Sequence, residues 1–282
     1  MEGIKPVKRK INMKLYSIYT ESHNVLVNDW FLPSLKDNYE LVLRKYPQVG
    51  DLKQHKYGTA EFRKTMCFKV DLIIEAIKDN WGGIFIYSDV DIRFFQPFES
   101  IILKKMKGKD MIIQRDTKFG HICAGFFAAR GNEKNLRLWQ DIRNVLRMGA
   151  EKESEQEILC ELFFDYKSDF FSIIKQRCAN MAMRFAHYLG RYIFNKKENY
   201  SFRKRNQLKN PYNIKWDYLP VTFFSPCTRL NGKLWEPGMD IEVPENIIMH
   251  HANGTLGVEN KIAQFKYVKN IVNKRAAATA RK

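Results

Sequence analysis

The chain is predicted to adopt an α/β fold, with a largely parallel central sheet of the Rossmann type flanked by helices. Segments typical of strands and of amphipathic helices alternate along its 282 residues. The strand at residues 84–87 is continuously apolar, as expected for a strand buried on both faces. Sheets of this kind bind ligands beyond the carboxyl ends of strands. Polar residues that directly follow strands are therefore the candidate site residues.

Each predicted element has its own pattern. Residues 13–19 alternate between apolar and polar side chains, as in a first strand. Residues 59–80 place apolar side chains on one helical face, and a Gly-Gly pair follows them and ends the helix. Asn132 is the predicted cap of a later helix, and Ser154 opens another with the pattern of a capping box. Further strands are predicted at residues 84–87, 110–114, 122–129, 221–224 and 247–249.

Length and composition indicate one globular domain. With 45% apolar and 13% aromatic residues, the chain is too hydrophobic to be disordered. We expect a single domain over residues 13–270, between a basic tail at 1–12 and a basic, frayed tail at 271–282. Residues 168–215 are basic, aromatic and less regular, and we interpret them as a basic helical insertion or lid beside the site.

The cysteines and the apolar runs bear on the cellular compartment. The five cysteines are dispersed and form no Cys-x-x-Cys pair, which argues against a disulfide framework and against a cysteine zinc site. No apolar run reaches transmembrane length, and the charged N-terminus has no apolar core behind it. These observations predict a soluble, cytoplasmic protein with reduced thiols and neither signal peptide nor membrane anchor.

The net charge of +17 predicts an anionic partner. Nucleotide phosphates, acidic glycans, anionic lipid at a membrane surface and nucleic acid all fit a basic surface. Nucleic acid is not expected, because the aromatic residues lie mostly in apolar strands and helices and do not alternate with the basic runs. A basic protein that binds nucleic acid without catalysis remains the non-enzymatic alternative.

Asp89 and Asp91 are the strongest candidate site residues, because they leave the buried strand at residues 84–87. Hard carboxylate oxygens suit Mg²⁺ or Mn²⁺. His250 and His251 directly follow another apolar strand, and an imidazole ligand would favour Mn²⁺. Two strand ends therefore predict one metal site, with a diphosphate as the anion that the cation would hold.

Weaker candidates lie on neighbouring elements. Lysine and arginine bind phosphates, and a carboxylate can bind ribose hydroxyls. Glu155 and Gln156 lie in the first turn of a helix, and Arg115 and Asp116 follow a strand. We expect Glu155, Gln156 and Asp116 near the reacting atoms. The candidates for nucleotide binding are Thr20, Glu21, Arg63, Lys69 and Asp71.

Together these residues resemble metal-dependent glycosyltransferases of the GT-A fold, in the nucleotide-diphospho-sugar transferase group, over about residues 13–269. The segment at 88–98 is similar to the group's Asp-x-Asp strand and Pro-containing turn, and 123–127 to its Gly-Phe strand. The segment at 154–156 falls where the group has an Asp-Gln pair. The segments at 250–254 and 257–261 resemble its C-terminal metal-histidine region. Two departures stand out: the acidic pair lies two residues farther from the Gly-Gly turn, and Glu155 replaces the usual aspartate.

The resemblance implies a role for each matched residue. Asp91 would bind the metal directly, and Asp89 would reach the ribose or, through water, the metal. His251 is the expected imidazole ligand, with His250 second. Ser88 and Lys261 join the donor-binding set through their places in the motifs.

The implied activity is transfer of a hexose or pentose from a nucleotide-diphosphate sugar to a hydroxyl of a glycan or glycoprotein, with retention of configuration. Mn²⁺ or Mg²⁺ is the implied cofactor. Another metal-dependent phosphate enzyme, either a nucleotidyltransferase or a phosphohydrolase, would share Asp89 and Asp91. The released product distinguishes these classes.

Overall fold

The structure is a computed structural model that describes residues 13–47, 59–116, 122–148, 154–164, 210–228, 230 and 233–280. The predicted N-terminal tail and residues 168–209 of the predicted insertion lie outside these ranges. The strands are β1 (Lys14–Thr20), β2 (Glu40–Tyr46), β3 (Ile84–Ser88), β4 (Ile92–Phe94), β5 (Met111–Arg115), β6 (Ile122–Arg130), β7 (Trp216–Tyr218), β8 (Phe223–Phe224) and β9 (Met249–His251).

The helices cover both faces of the main sheet. They are α1 (Asn24–Leu26), α2 (Ala60–Asp79), α3 (Glu99–Lys105), α4 (Glu133–Met148), α5 (Glu155–Phe164) and α6 (Val258–Thr279). Shorter 3-10 or π turns occupy Glu21–His23, Val27–Phe31, Leu32–Ser34 and Pro226–Thr228.

Six strands form the main sheet, in the order β2-β1-β3-β6-β5-β7. Among these described strands, β6 runs antiparallel to both neighbours and the others share one direction. The predicted mixed α/β fold with a mostly parallel central sheet is confirmed. The edge strands β2 and β7 were not predicted, because their short sequences lack a clear alternation of apolar residues.

Alternate side chains of β3 point into two separate cores. Phe85 and Tyr87 pack beneath α2, α4 and α5, while Ile86 packs on the opposite face with residues of α3. This two-sided burial explains why the strand is continuously apolar. β3 ends at Ser88, and the chain leaves the sheet directly after this residue.

Side-chain caps fix the ends of the predicted helices. The hydroxyl of Thr59 accepts the Phe62 amide and begins α2. Asn132 caps α4 by accepting the Asn135 amide. Ser154 and Glu157 form the predicted capping box: the Ser154 amide donates to the Glu157 carboxylate at 2.9 Å. The cap places Glu155 and its neighbour in the first turn of α5.

A second, three-stranded sheet in the order β4-β9-β8 adjoins the carboxyl end of β3. The pairing of β4 with β9 aligns Ile92 with His251, and the Ala252 amide donates to the carbonyl of Asp91 at 2.8 Å. Two strands predicted at residues 221–224 and 247–249 are shorter or shifted, as β8 and β9. This sheet brings the histidine strand to the Asp-x-Asp turn.

The predicted frayed tail is wrong for residues 271–279, which continue helix α6 to Thr279. Phe265 and Val268 are buried, and Ile271 packs beside Val268. The run of alanines that follows favours helix even where the side chains are exposed. No helix among the described residues has the length and apolar character needed to cross a membrane.

Candidate active site

Asp89, Asp91 and His251 converge at the carboxyl end of β3. Each offers one ligand atom, and these atoms all lie within 4.8 Å of one another. Asp89 begins the turn out of β3, Asp91 ends it and leads into β4, and His251 is the residue of β9 that pairs with Ile92. Two carboxylates and an imidazole are a donor set that suits a divalent cation.

The orientation of His251 fits a metal ligand. The side-chain amide of Gln114 donates to the carbonyl of Phe223 at 3.1 Å, which turns its oxygen toward Nδ1 of His251 at 2.9 Å. Nδ1 is therefore the protonated nitrogen, and Nε2 faces the Asp91 carboxylate at 3.2 Å. Histidine ligands are held in this way, by a hydrogen bond from the other ring nitrogen.

Gly125 of β6 leaves the space in which Asp89 and His251 meet. A Cβ atom here would overlap Cε1 of His251 and would lie 2.8 Å from the Asp89 carboxylate. The carbonyl of Gly125 also accepts the Asp89 amide at 2.7 Å. Any side chain at this position would push apart two of the three converging groups, so the glycine is part of the site.

Two lysines neutralise the carboxylates. Lys69 of α2 is buried and pairs with Asp89 at 2.9 Å and with Glu155 at 2.8 Å. Lys261 of α6 pairs with Asp91. Burial alone lowers the pKa of Lys69, but Asp89 and Glu155 outweigh it and raise that pKa well above its usual value. Lys69 is therefore a fixed cation between two carboxylates.

The two aspartates differ in electrostatic environment. Burial raises the pKa of Asp89, and the opposing effect of Lys69 does not cancel it. For Asp91, burial also favours the neutral form, but Lys261 and His251 hold the pKa well below its usual value. Asp91 is thus the more strongly ionised carboxylate, which suits a direct metal ligand.

A hydrogen-bonded cluster lies beside the metal residues. The amide nitrogen of Gln156 donates to Asp116 at 3.2 Å, and its oxygen accepts the Ala124 amide at 3.2 Å. Asn253, two residues after His251, donates to the other oxygen of Asp116 at 3.2 Å. The candidate residues Gln156 and Asp116 are therefore in contact, and Ala124 places them next to Gly125.

The profile of the nucleotide-diphospho-sugar transferase family matches residues 34–265. The chain belongs to this family. The matched region includes the three converging groups and both lysines. Membership implies a nucleotide-sugar donor and activity as a glycosyltransferase, and it agrees with the GT-A-like fold class expected from the sequence. No curated protein matches the chain.

Solved glycosyltransferases resemble the fold at low sequence identity. One, involved in glycosylation of the major capsid of PBCV-1, shares 9% identity at a TM-score of 0.46, over 89% of this chain and 97% of that one. Mouse xyloside xylosyltransferase 1 shares 10% identity at a TM-score of 0.43, over 86% of this chain and 98% of that one. GlyE of Streptococcus pneumoniae TIGR4 shares 14% identity at a TM-score of 0.38, over 56% of this chain and 44% of that one.

His250 lies apart from the converging ligand atoms of this family member. As the neighbour of His251 on a strand it points to the opposite face, where Nε2 lies 2.9 Å from Oε1 of Gln264. Its ring packs against Phe224 and Phe265. Burial lowers the pKa of His250 to about 3, so it is a neutral core histidine and not the second metal ligand considered above.

Several donor-binding candidates point away from the metal cluster. Asp71 pairs with Arg143 of α4, and Glu21 pairs with Lys45 of β2. Arg63 lies six residues before Lys69 on α2. The helical spacing that made these residues candidates is equally that of a solvated face.

Thr20 and Ser88 lie closer to the site. The hydroxyl of Thr20 contacts Nδ1 of His23 at 2.7 Å. Burial and the charge of Lys261 lower the pKa of His23, while Asp91 raises it, which places this histidine beside the cluster. Ser88 is buried, and its hydroxyl donates to the carbonyl of Asp89.

The residues that sequence reasoning missed are Gln114, Gly125, Asn253 and His23. Gly125 was visible as an isolated glycine inside an apolar strand, a pattern typical of close approach by another group. Asn253 was visible as a polar residue just after the histidines. Gln114 and His23 act through contacts with distant segments, and no local pattern marks them.

Proposed function

We propose that the protein is a metal-dependent glycosyltransferase that retains anomeric configuration and moves a hexose or pentose from a nucleotide-diphosphate sugar to a hydroxyl of a glycan or glycoprotein. The convergence of Asp89, Asp91 and His251 at the end of β3, in a chain of this family, carries the proposal. The retaining outcome rests on the family resemblance.

Asp91 and His251 are the proposed direct ligands of a divalent cation, and Asp89 is the ribose-side carboxylate. Mn²⁺ is proposed over Mg²⁺, because one of the ligands is an imidazole. Bound there, the cation would neutralise charge on the leaving diphosphate. The contact with Gln114 through Nδ1 holds the His251 ring with Nε2 pointed at Asp91, so the ligand requires no rearrangement of its ring.

Lys261 is the proposed cation for the donor diphosphate. It begins in contact with Asp91, at the edge of the site, and its long flexible side chain allows it to reach a phosphate close by. Lys69 is more enclosed, with 3% of its side chain exposed, so its role is to hold Asp89 and Glu155 in place.

Gln156 and Asp116 are the proposed groups beside the reacting carbon, with Glu155 behind them. Oε1 of Glu155 pairs with Lys69, while Oε2 is buried and has no protein partner among the described residues. A buried acceptor without a partner is costly, and a sugar hydroxyl of the donor would satisfy it.

A thermal-shift screen tests the function. We expect Mn²⁺ together with one nucleotide-diphosphate sugar to raise Tm, because a ligand that binds only the native state stabilises it. Asp91→Ala should abolish the rise, while the exposed Asp29→Ala should retain it. The matching sugar nucleotide should then yield a glycoside of unchanged anomeric configuration by ¹H NMR. Free sugar or a nucleotide monophosphate as the product would instead identify a hydrolase or nucleotidyltransferase.

A further inference from the structure

The side-chain amide of Gln156 has a defined direction. Its oxygen accepts the backbone amide of Ala124, and its nitrogen donates to Oδ2 of Asp116. Ala124 can only donate here and the Asp116 carboxylate can only accept, so a rotation of the amide by half a turn would place like groups against each other at both contacts. One N–H and one lone pair of Gln156 remain for a ligand.

Asp116 itself is held by Asn253, and the direction of that amide is also defined. Oδ1 of Asn253 accepts the hydroxyl of Ser225 at 2.9 Å, which leaves its nitrogen to donate to Oδ1 of Asp116. The same nitrogen lies 3.8 Å from Sγ of Cys123. The hydrogen bonds therefore form a chain from Ser225 through Asn253 and Asp116 to Gln156.

The chain of hydrogen bonds joins two separate parts of the site. Asn253 follows His251 by two residues on the segment after β9, whereas Gln156 lies in the first turn of α5. The backbone carbonyl of Asn253 is also within 3.4 Å of the Gln264 amide, on α6. Asn253 is thus fixed to the histidine segment at its backbone and to the α5 side through its side chain.

We propose that Asn253 is a positioning residue for the transfer reaction, which acts through Asp116 to fix the direction of the Gln156 amide beside the metal cluster. The effect on catalysis rests on the proposed function, whereas the directions of the hydrogen bonds are independent of it. The role needs an acceptor oxygen at position 116 for Gln156 and a hydrogen bond of either direction between positions 116 and 253, and it does not need a negative charge at position 116.

Exchanging the side chains at positions 116 and 253 distinguishes this positioning role from a requirement for the Asp116 carboxylate itself. Asn253→Asp alone sets two carboxylates against each other, and turns Asp116 away from Gln156. In the double variant Asp116→Asn/Asn253→Asp, the new Asn donates to the new Asp and its oxygen accepts from Gln156. The new Asp still accepts from Ser225. Only the hydrogen bond between positions 116 and 253 reverses its direction; every contact still pairs a donor with an acceptor, and the net charge is unchanged.

The experiment compares kcat, KM for the sugar nucleotide and the side-chain ¹⁵NH₂ signals of selectively labelled glutamine, with Gln156→Glu to assign the Gln156 signal. We expect Asn253→Asp to lower kcat roughly ten- to a hundredfold with little change in KM, and to shift the Gln156 signal. The double variant should recover most of kcat and the original signal. The exposed Asn144→Asp on α4 adds the same charge elsewhere and should match the wild type.

Two results would overturn the proposal. If Asn253→Asp leaves both kcat and the Gln156 signal unchanged, Asn253 does not position Gln156. If the double variant restores neither quantity, the carboxylate of Asp116 is itself required. Should the wild-type protein transfer no sugar at all, the NMR signal still tests the positioning of Gln156, so failure of the function and failure of this inference are distinguishable.

Discussion

Lys261 forms an ion pair with Asp91, a residue 170 positions earlier in the chain and one of the three groups that converge at the candidate metal site. A lysine ammonium and a divalent cation are both attracted to this carboxylate. We therefore propose that the lysine competes with the metal until a phosphate of the donor draws it away, which would couple metal binding to donor binding through one side chain.

Lys261→Met should raise the affinity for Mn²⁺ alone by roughly tenfold, because a like charge next to the cation is removed. The same change should lower the affinity for a nucleotide diphosphate in the presence of Mn²⁺, because the phosphate loses its lysine partner. Isothermal titration measures both affinities. Lys266→Met, exposed on the same helix, is the matched control. An Mn²⁺ affinity that falls or stays constant in Lys261→Met would show that no competition exists.

Gly125→Ala should disrupt the metal site. Its methyl group would overlap His251 and press on the Asp89 carboxylate, so we expect the Mn²⁺-dependent rise in Tm to disappear and the free energy of unfolding to fall by about 1–3 kcal/mol. Gly83→Ala is the control, because its Cβ would meet only the Asn80 carbonyl at 3.4 Å. Normal Mn²⁺ binding by Gly125→Ala would contradict the geometry described here.

Alanine substitutions at the two adjacent histidines should have different effects. His251→Ala removes a proposed ligand and should abolish the Mn²⁺-dependent rise in Tm. His250→Ala should keep that rise while lowering stability by about 1–3 kcal/mol, because Gln264 loses its buried partner. Thermal unfolding with and without Mn²⁺ measures both effects. The reverse pattern would exchange the roles assigned to the two residues.

Lys69→Met should be strongly destabilising, by about 3–5 kcal/mol, because Asp89 and Glu155 would both lose a buried cation. The double variant Lys69→Met/Glu155→Gln should recover part of this loss, since one carboxylate is then neutral. Urea unfolding gives the free energies. Lys64→Met, whose partner Glu61 lies on the helix surface, should cost no more than about 1 kcal/mol. Equal losses of unfolding free energy in Lys69→Met and Lys64→Met would contradict the burial of Lys69.

Local patterns were sufficient to predict the elements and the first ligands. The caps at Asn132 and Ser154 and the apolar strand before Asp89 depend on neighbours within a few residues, and all are confirmed. The convergence of Asp89 and Asp91 with His251 was predicted from two strand ends, but the histidine strand β9 belongs to the second sheet and reaches the aspartates by pairing with β4.

Contacts between distant segments could not be predicted in the same way. The sequence marks Asp71 and Lys69 as equal candidates on α2, yet Lys69 turns to Asp89 while Asp71 turns to Arg143. Two residues on a helix differ in direction by a large angle, and only the position of α4 decides which direction meets a partner. The continuation of α6 past residue 272 is different: its side chains are exposed, and the helix propensity of the alanines at 276–278 could have predicted it.

The pairing of β4 with β9 has a consequence for the synthesis of the protein. The carboxylates of the metal cluster are made early, but the imidazole joins them only when residue 251 has left the ribosome and β9 has paired with β4. The candidate metal site is thus complete only once the second sheet has assembled, so binding of a cation there would report that assembly.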